Sequence, residues 1–128
     1  MAIDPTILIA DDEPEIRHGL ADLLSGLGLA VLMAGSGGEA LEIVRARAVD
    51  LALLDHQMPG SDSPHITGLD ILRTVRAEEL AVPCIFCSAD AHGDLEQLAL
   101  QAGAVAVLRK PVQPVQLRTE VCRVLGLA

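Results

Sequence analysis

Five apolar runs of strand length, each separated from the next by a segment of helical period, constrain this chain most. The runs are TILIA (6–10), AVLMA (30–34), LALLD (51–55), CIFC (84–87) and VAVL (105–108). Between and after them, apolar residues recur three or four positions apart. These are Ile16, Leu20, Leu23, Leu24 and Leu27; Leu41, Val44 and Ala48; Leu69, Leu72 and Val75; Leu95, Leu98, Ala99 and Ala102; and Leu117, Val121, Val124 and Leu125. Strands that alternate with helices connect by right-handed crossovers into a parallel sheet covered on both faces. That burial explains why the runs are apolar throughout rather than alternating. The predicted class is α/β, one doubly wound five-stranded parallel sheet with five helices. A chain of 128 residues suits a single domain, here 1–128.

Boundary signals agree with this reading. Pro14 follows the acids of DDEPE as a first-turn residue would, and Ser36 and Glu39 have capping-box spacing. Gly28, Gly103 and Gly126 follow helical stretches. AGSGGEA (34–40) has glycines but no P-loop lysine, so it reads as a helix start rather than a phosphate cradle.

Charge narrows the partners. With 9 Lys plus Arg against 18 Asp plus Glu, the net charge of -9 repels nucleic-acid phosphates and anionic lipid surfaces. The apolar runs are far shorter than the ~20 residues of a membrane helix, and no basic flank and apolar signal segment opens the chain. The expected location is the cytoplasm. Cys84 and Cys87 have C-x-x-C spacing, but on a strand residues three apart face opposite sides at about 10 Å, beyond the ~7 Å limit for a disulfide. They read as core cysteines, and Cys122 has no evident partner in the sequence.

In such a sheet all strand C-termini open on one edge, where ligands bind at the point of strand-order reversal. The first strand delivers Asp11 and Asp12 there, the third Asp55, the fourth Ser88, and the fifth Lys110 followed by Pro111. Three crowded carboxylates repel one another unless a cation intervenes. A divalent ion and Lys110 would together balance the three negative charges, and hard oxygen ligands suit Mg²⁺. A carboxylate in this setting can act as a nucleophile toward phosphorus, with Lys110 and Ser88 stabilising the phosphoryl oxygens.

Taken in order, ILIADDEPEIR, DLALLDHQMPG, IFCSADA and LRKPV resemble the receiver domains of two-component response regulators over nearly the whole chain. The resemblance includes the 22 positions between Ser88 and Lys110, the Met-Pro after the third strand and the Lys-Pro after the fifth. It implies a flavodoxin-like sheet of strand order 2-1-3-4-5. It further implies Asp55 as phosphoacceptor, Asp11 and Asp12 as Mg²⁺-binding acids with Asp55 and the backbone carbonyl of Gln57, Ser88 as the hydroxyl switch residue, and Lys110 as the phosphoryl contact. Gln57 and Asp90 fall where such domains tune the lifetime of the phosphoryl group. The implied donor is a sensor histidine kinase or a histidine phosphotransfer protein, and the implied role is signalling rather than turnover. A homodimer or effector contact would use the face of the fourth helix, fifth strand and fifth helix.

Two departures stand out. Val107 occupies the place of the family's aromatic three residues before the lysine, and Gly68 lies 13 positions past Asp55 (68 minus 55) where about 8 is usual, an apparent insertion within 60–67. His18, His56, His65 and His92 fit neither a phosphohistidine motif nor metal-ligand spacing, and solvent exposure is the expectation for them. Two other functions compete. A haloacid dehalogenase-type phosphatase would place its nucleophile on the first strand with an acid two residues later, whereas position 57 is Gln. A receiver-like interaction module without phosphorylation has no need of an intact acid set.

Overall fold

In the computed structural model, which describes residues 4–58, 66–89 and 93–127, the five apolar runs form one sheet. The strands are β1 (Thr6–Ala10), β2 (Ala30–Ala34), β3 (Leu51–Asp55), β4 (Cys84–Ser88) and β5 (Ala106–Arg109). All neighbouring pairs are parallel and the order is β2-β1-β3-β4-β5, as expected. The helices are α1 (Pro14–Leu23), α2 (Gly37–Ala46), α3 (Gly68–Ala77), α4 (Gly93–Gln101) and α5 (Pro114–Leu125). No described helix is long and apolar enough to cross a membrane.

Alternation along the strands divides the core into two. Leu8, Ala52, Leu54, Cys84 and Phe86 pack against Leu41, Val44, Ile71, Leu72 and Ala99 of α2, α3 and α4. Ile7, Ile9, Leu51, Leu53, Ile85 and Leu108 pack against Leu20 of α1 and Leu117 and Val121 of α5. Every residue of β3 and β4 is buried, whereas β2 and β5, at the sheet edges, each leave residues exposed. At ~1.5–3 kcal/mol for each fully buried Leu, Ile or Phe side chain, the three central strands hold most of the burial energy. Cys84 and Cys87 fall in opposite halves of this core, and burial pushes both thiols up to about 12. The C-x-x-C spacing therefore carries no redox pair.

Local chemistry ends the elements, with some departures from expectation. Pro14 and Pro114 occupy the first turns of α1 and α5, where a missing N–H is harmless. Ser36 caps α2 by accepting from the Glu39 N–H at 3.2 Å, but the Glu39 carboxylate reaches the Gly35 N–H rather than that of Ser36. The reciprocal capping box instead opens α3, between Thr67 and Asp70. Helix α1 stops at Leu23, so Gly28 belongs to the connection to β2 rather than to the helix cap. Ala48 lies beyond α2, and Ile16 and Leu98, although in helical register, are 37% and 42% exposed. Both border clefts rather than the core.

One glycine ties a helix to the sheet edge. A Cβ on Gly68 would lie 2.6 Å from the Asp55 carbonyl oxygen and 3.1 Å from the Phe86 ring, so only glycine lets α3 start against the end of β3. The Gly68 N–H donates to the His56 carbonyl at 3.2 Å. The chain at and just after Asp55 is thereby tied to the start of α3.

Candidate functional site

Strand order reverses between β1 and β3, and the residues at their C-terminal ends meet there. Asp11 follows β1 directly, and its carboxyl is buried at 1% exposure. Its Oδ1 accepts from the Glu13 N–H at 3.0 Å, and its Oδ2 accepts from Lys110 Nζ at 2.8 Å. Asp55 ends β3 at 7% exposure, and its Oδ1 lies 2.9 Å from the same Nζ. One ammonium therefore joins two acids from different strands. Asp12, half-buried, completes the set: a carboxylate oxygen from each of Asp11, Asp12 and Asp55 lies within 4.8 Å of the other two.

The electrostatics follow from burial. Desolvation pushes the Asp55 carboxyl up from 3.8 to about 6, and the charges of Asp11 and Asp12 push the same way, while Lys110 opposes them through its hydrogen bond and charge. For Lys110, burial alone would lower the ammonium's pKa, but its bonds to Asp11 and Asp55 outweigh burial and raise it. Charge is thus concentrated but incompletely balanced. Three hard oxygen donors converging around such a deficit are a donor set for a small divalent cation rather than a soft metal.

Adjacent residues shape a cleft of about 300 Å³ lined by Asp12, Glu13, Asp55, His56, Gln57, Ser88, Ala89 and Lys110. Ser88 is buried at the end of β4, and the Lys110 N–H donates to its carbonyl at 2.9 Å, which sets the lysine beside the β4 terminus. The peptide bond between Lys110 and Pro111 is cis. Gln57 is exposed at the rim. A larger, mostly apolar cleft of about 620 Å³ lies alongside between α1 and the segment after β5 and shares Ala89 and Lys110. The converging acids rather than cleft size single out the smaller cleft as the candidate site.

The structure brings together Asp11, Asp12, Asp55, Ser88, Gln57 and Lys110. Val107 stands apart, half-buried on β5 in register with Phe86 and packed against the α2–α4 side of the core. Asp90, His65, His92 and most of the 60–67 insertion lie outside the described residues. His18 is exposed as expected, but His56 is not: its ring packs on Phe86, with centroids 5.5 Å apart, and lines the cleft beside Asp55. Its only sequence signal is its place directly after Asp55. Sequence reasoning also passed over Arg17, whose guanidinium donates to the Asp11 carbonyl at 2.7 Å.

Comparison with known proteins agrees with this fold. The model of the response regulator receiver domain matches residues 7–122. The transcriptional activator protein ExaE of Pseudomonas putida is 40% identical over 122 residues, 94% of this chain and 55% of that protein. The sensor histidine kinase RcsC of Salmonella typhimurium is 34% identical over 109 residues, 85% of this chain and 11% of that protein. The chain thus spans about half, or much less, of the length of these curated relatives. Among solved structures, the signal receiver domain of the putative response regulator NarL from Mycobacterium tuberculosis superposes with a TM-score of 0.86 at 29% identity, covering 98% of each chain. A family match that runs from the first strand into the last helix, over a sheet of the same order, means that this chain belongs to the response regulator receiver domains of two-component systems.

Proposed function

We propose that the chain accepts a phosphoryl group on Asp55 from a phosphohistidine of a partner protein, with Mg²⁺ held by Asp11, Asp12, Asp55 and the Gln57 carbonyl. The observation that carries this reading is the single ammonium of Lys110 shared by two buried carboxylates at 2.8 and 2.9 Å, with a third carboxylate beside them. A bound Mg²⁺ would supply charge neutralisation at the phosphoryl oxygens. The chain's own groups do the rest. An Asp55 oxygen attacks phosphorus, a P–O bond forms, the P–N bond to the donor imidazole breaks, and the electron pair returns to that nitrogen. Lys110 neutralises the charge that gathers on the equatorial oxygens, and Ser88, at the end of the adjacent strand, donates a hydrogen bond to one of them. The role is signalling rather than turnover, in the cytoplasm.

The occurrence of a similar region in a protein named as a sensor histidine kinase supports a histidine kinase or phosphotransfer protein as donor. Exposed Leu100 of α4, Val105 before β5 and Val115 of α5, at 48%, 40% and 78% exposure, support that face as the contact for an effector or a second copy. Treatment with acetyl phosphate and Mg²⁺, read by intact mass, tests the proposal. A gain of one phosphoryl group that requires Mg²⁺ supports it, rapid release of inorganic phosphate without accumulation favours a phosphatase, and no gain leaves an unphosphorylated interaction module.

Two expectations attach to this reading. Asp12→Asn should weaken Mg²⁺ binding by on the order of a hundredfold through loss of a charged ligand, and relief of repulsion should raise the metal-free melting temperature by about 1–3 °C. Calorimetric titration and a thermal melt in EDTA check both halves, and a lower metal-free melting temperature contradicts the second. Val107 has no ring to swing inward, so the response to phosphorylation should run through Ser88 and the 89–95 segment, with Gln57 and Asp90 setting the lifetime of the phosphoryl group. Hydrogen exchange on adding beryllofluoride and Mg²⁺ reads this directly. Changes concentrated at Val107 and α5, with 88–95 silent, would overturn it.

A further inference from the structure

Among the acids, Asp12 is held least. Asp11 is fixed by Lys110, by the Glu13 N–H and by its own N–H donating to the Ala34 carbonyl at 3.1 Å. The half-buried Asp12 carboxylate accepts no hydrogen bond among the described residues, yet it lies with the other two within 4.8 Å. Where this side chain starts from depends on its backbone, which includes the peptide unit that joins it to Asp11. That unit has a specific brace. Arg17, half-buried on α1, turns back so that Nη1 donates to the Asp11 carbonyl at 2.7 Å. The space it occupies is left by a glycine, since a Cβ on Gly35 would lie 3.1 Å from the same Nη1. The guanidinium thus sits where the ends of β1 and β2 come together, with its charge one carbonyl away from the acid cluster.

We propose that Arg17 is a positioning residue for the metal-binding acids: by holding the peptide between Asp11 and Asp12 it keeps the otherwise unheld Asp12 carboxylate directed at the cluster. The inference rests on the Mg²⁺ site proposed above and adds to it a residue that touches neither the ion nor the phosphoryl group. A hydrogen bond from a charged donor to a carbonyl is stronger than a neutral one, and loss of a group that orients metal ligands typically weakens metal binding by about 10- to 100-fold. Arg118 provides an internal control. Its Nη1 donates to the carbonyls of Leu23 and Ser25 at 2.9 and 3.1 Å, the same chemistry at the opposite end of α1.

Mg²⁺ titrated calorimetrically into the full chain, with no phosphodonor present, tests the assignment. Arg17→Met and Arg17→Gln are each expected to bind Mg²⁺ about tenfold more weakly than the parent, and Arg17→Lys, which keeps the charge and one donor, should recover part of the loss. Arg118→Met should retain the parent affinity although its melting temperature falls. Either neutral Arg17 variant, folded and within twofold of the parent, overturns the proposal, as does an Arg118→Met loss equal to that of Arg17→Met. A parent that takes up no Mg²⁺ at millimolar concentration overturns both this proposal and the site on which it rests. Parent binding with undiminished Arg17→Met binding overturns this one alone.

Discussion

Replacing Asp55 by Asn is expected to abolish stable phosphorylation by acetyl phosphate while leaving the metal-free chain more stable at neutral pH. The first effect is chemical: an amide is a poor nucleophile toward phosphorus, and the substitution removes one of the charged ligands proposed for Mg²⁺. The second comes from burial. The Asp55 carboxyl, 7% exposed, titrates at about 6 when folded against 3.8 as the ordinary value, because desolvation opposes its charge more than Lys110 favours it. A raised folded value favours the folded state while the group is protonated, fully so below about 3.8, and that advantage fades as pH rises through about 6. Above that pH the ionised carboxylate makes the metal-free parent less stable, whereas a neutral amide does not titrate. We expect Asp55→Asn to gain about 1–2 kcal/mol over the parent at pH 7.5, after allowance for the partner lost to Lys110, and the gain to shrink toward pH 4. Urea melts in EDTA across this range check the sign. A variant that is less stable than the parent at pH 7.5 would show that the lysine contact outweighs the cost of burial.

Loss of the shared cation should have the opposite effect on stability. Lys110 Nζ bonds both Asp11 and Asp55, is 22% exposed, and is the only Lys or Arg ion-paired to either acid among the described residues. Lys110→Met leaves two buried carboxylates without their counter-charge. Removing one partner of a fully buried pair costs ~3–5 kcal/mol, and partial access to water here reduces the expected loss to about 2–3 kcal/mol. Mg²⁺ should restore more stability to this variant than to the parent, because the ion supplies the missing charge. The rate of phosphorylation should fall by ~10²–10³, the usual loss when one aligned transition-state donor is removed. Paired melts with Mg²⁺ and with EDTA, together with the rate of mass gain from acetyl phosphate, measure both. Equal Mg²⁺ stabilisation of parent and variant would contradict the charge argument.

Much of this is legible in the sequence. The central strands announced themselves because burial on both faces demands uninterrupted apolar runs, and Asp55 was conspicuous because a carboxylate closes one of them. The convergence of Asp11 with Lys110 across 99 positions followed from topology, since parallel strands must deliver their C-termini to one edge. Periodicity did not reveal which helical positions border clefts, so Ile16 and Leu98 read as core although each is more than a third exposed. Arg17 appears in DDEPEIR as an ordinary charged residue on a helix; only the backward turn of its side chain to the Asp11 carbonyl distinguishes it. His56 likewise reads as a solvent-exposed residue until the packing of its ring on Phe86 is seen. In both cases the information lies in side-chain direction, which spacing does not encode.

The central claim is that Asp55 itself carries the phosphoryl group. The chain is treated with acetyl phosphate and Mg²⁺, reduced with borohydride, which converts an acyl phosphate to the corresponding alcohol, and mapped by peptide mass. The account predicts reduction at position 55 alone, absent when Mg²⁺ is withheld; reduction at Asp11, Asp12 or any other residue, or none at position 55, would contradict it.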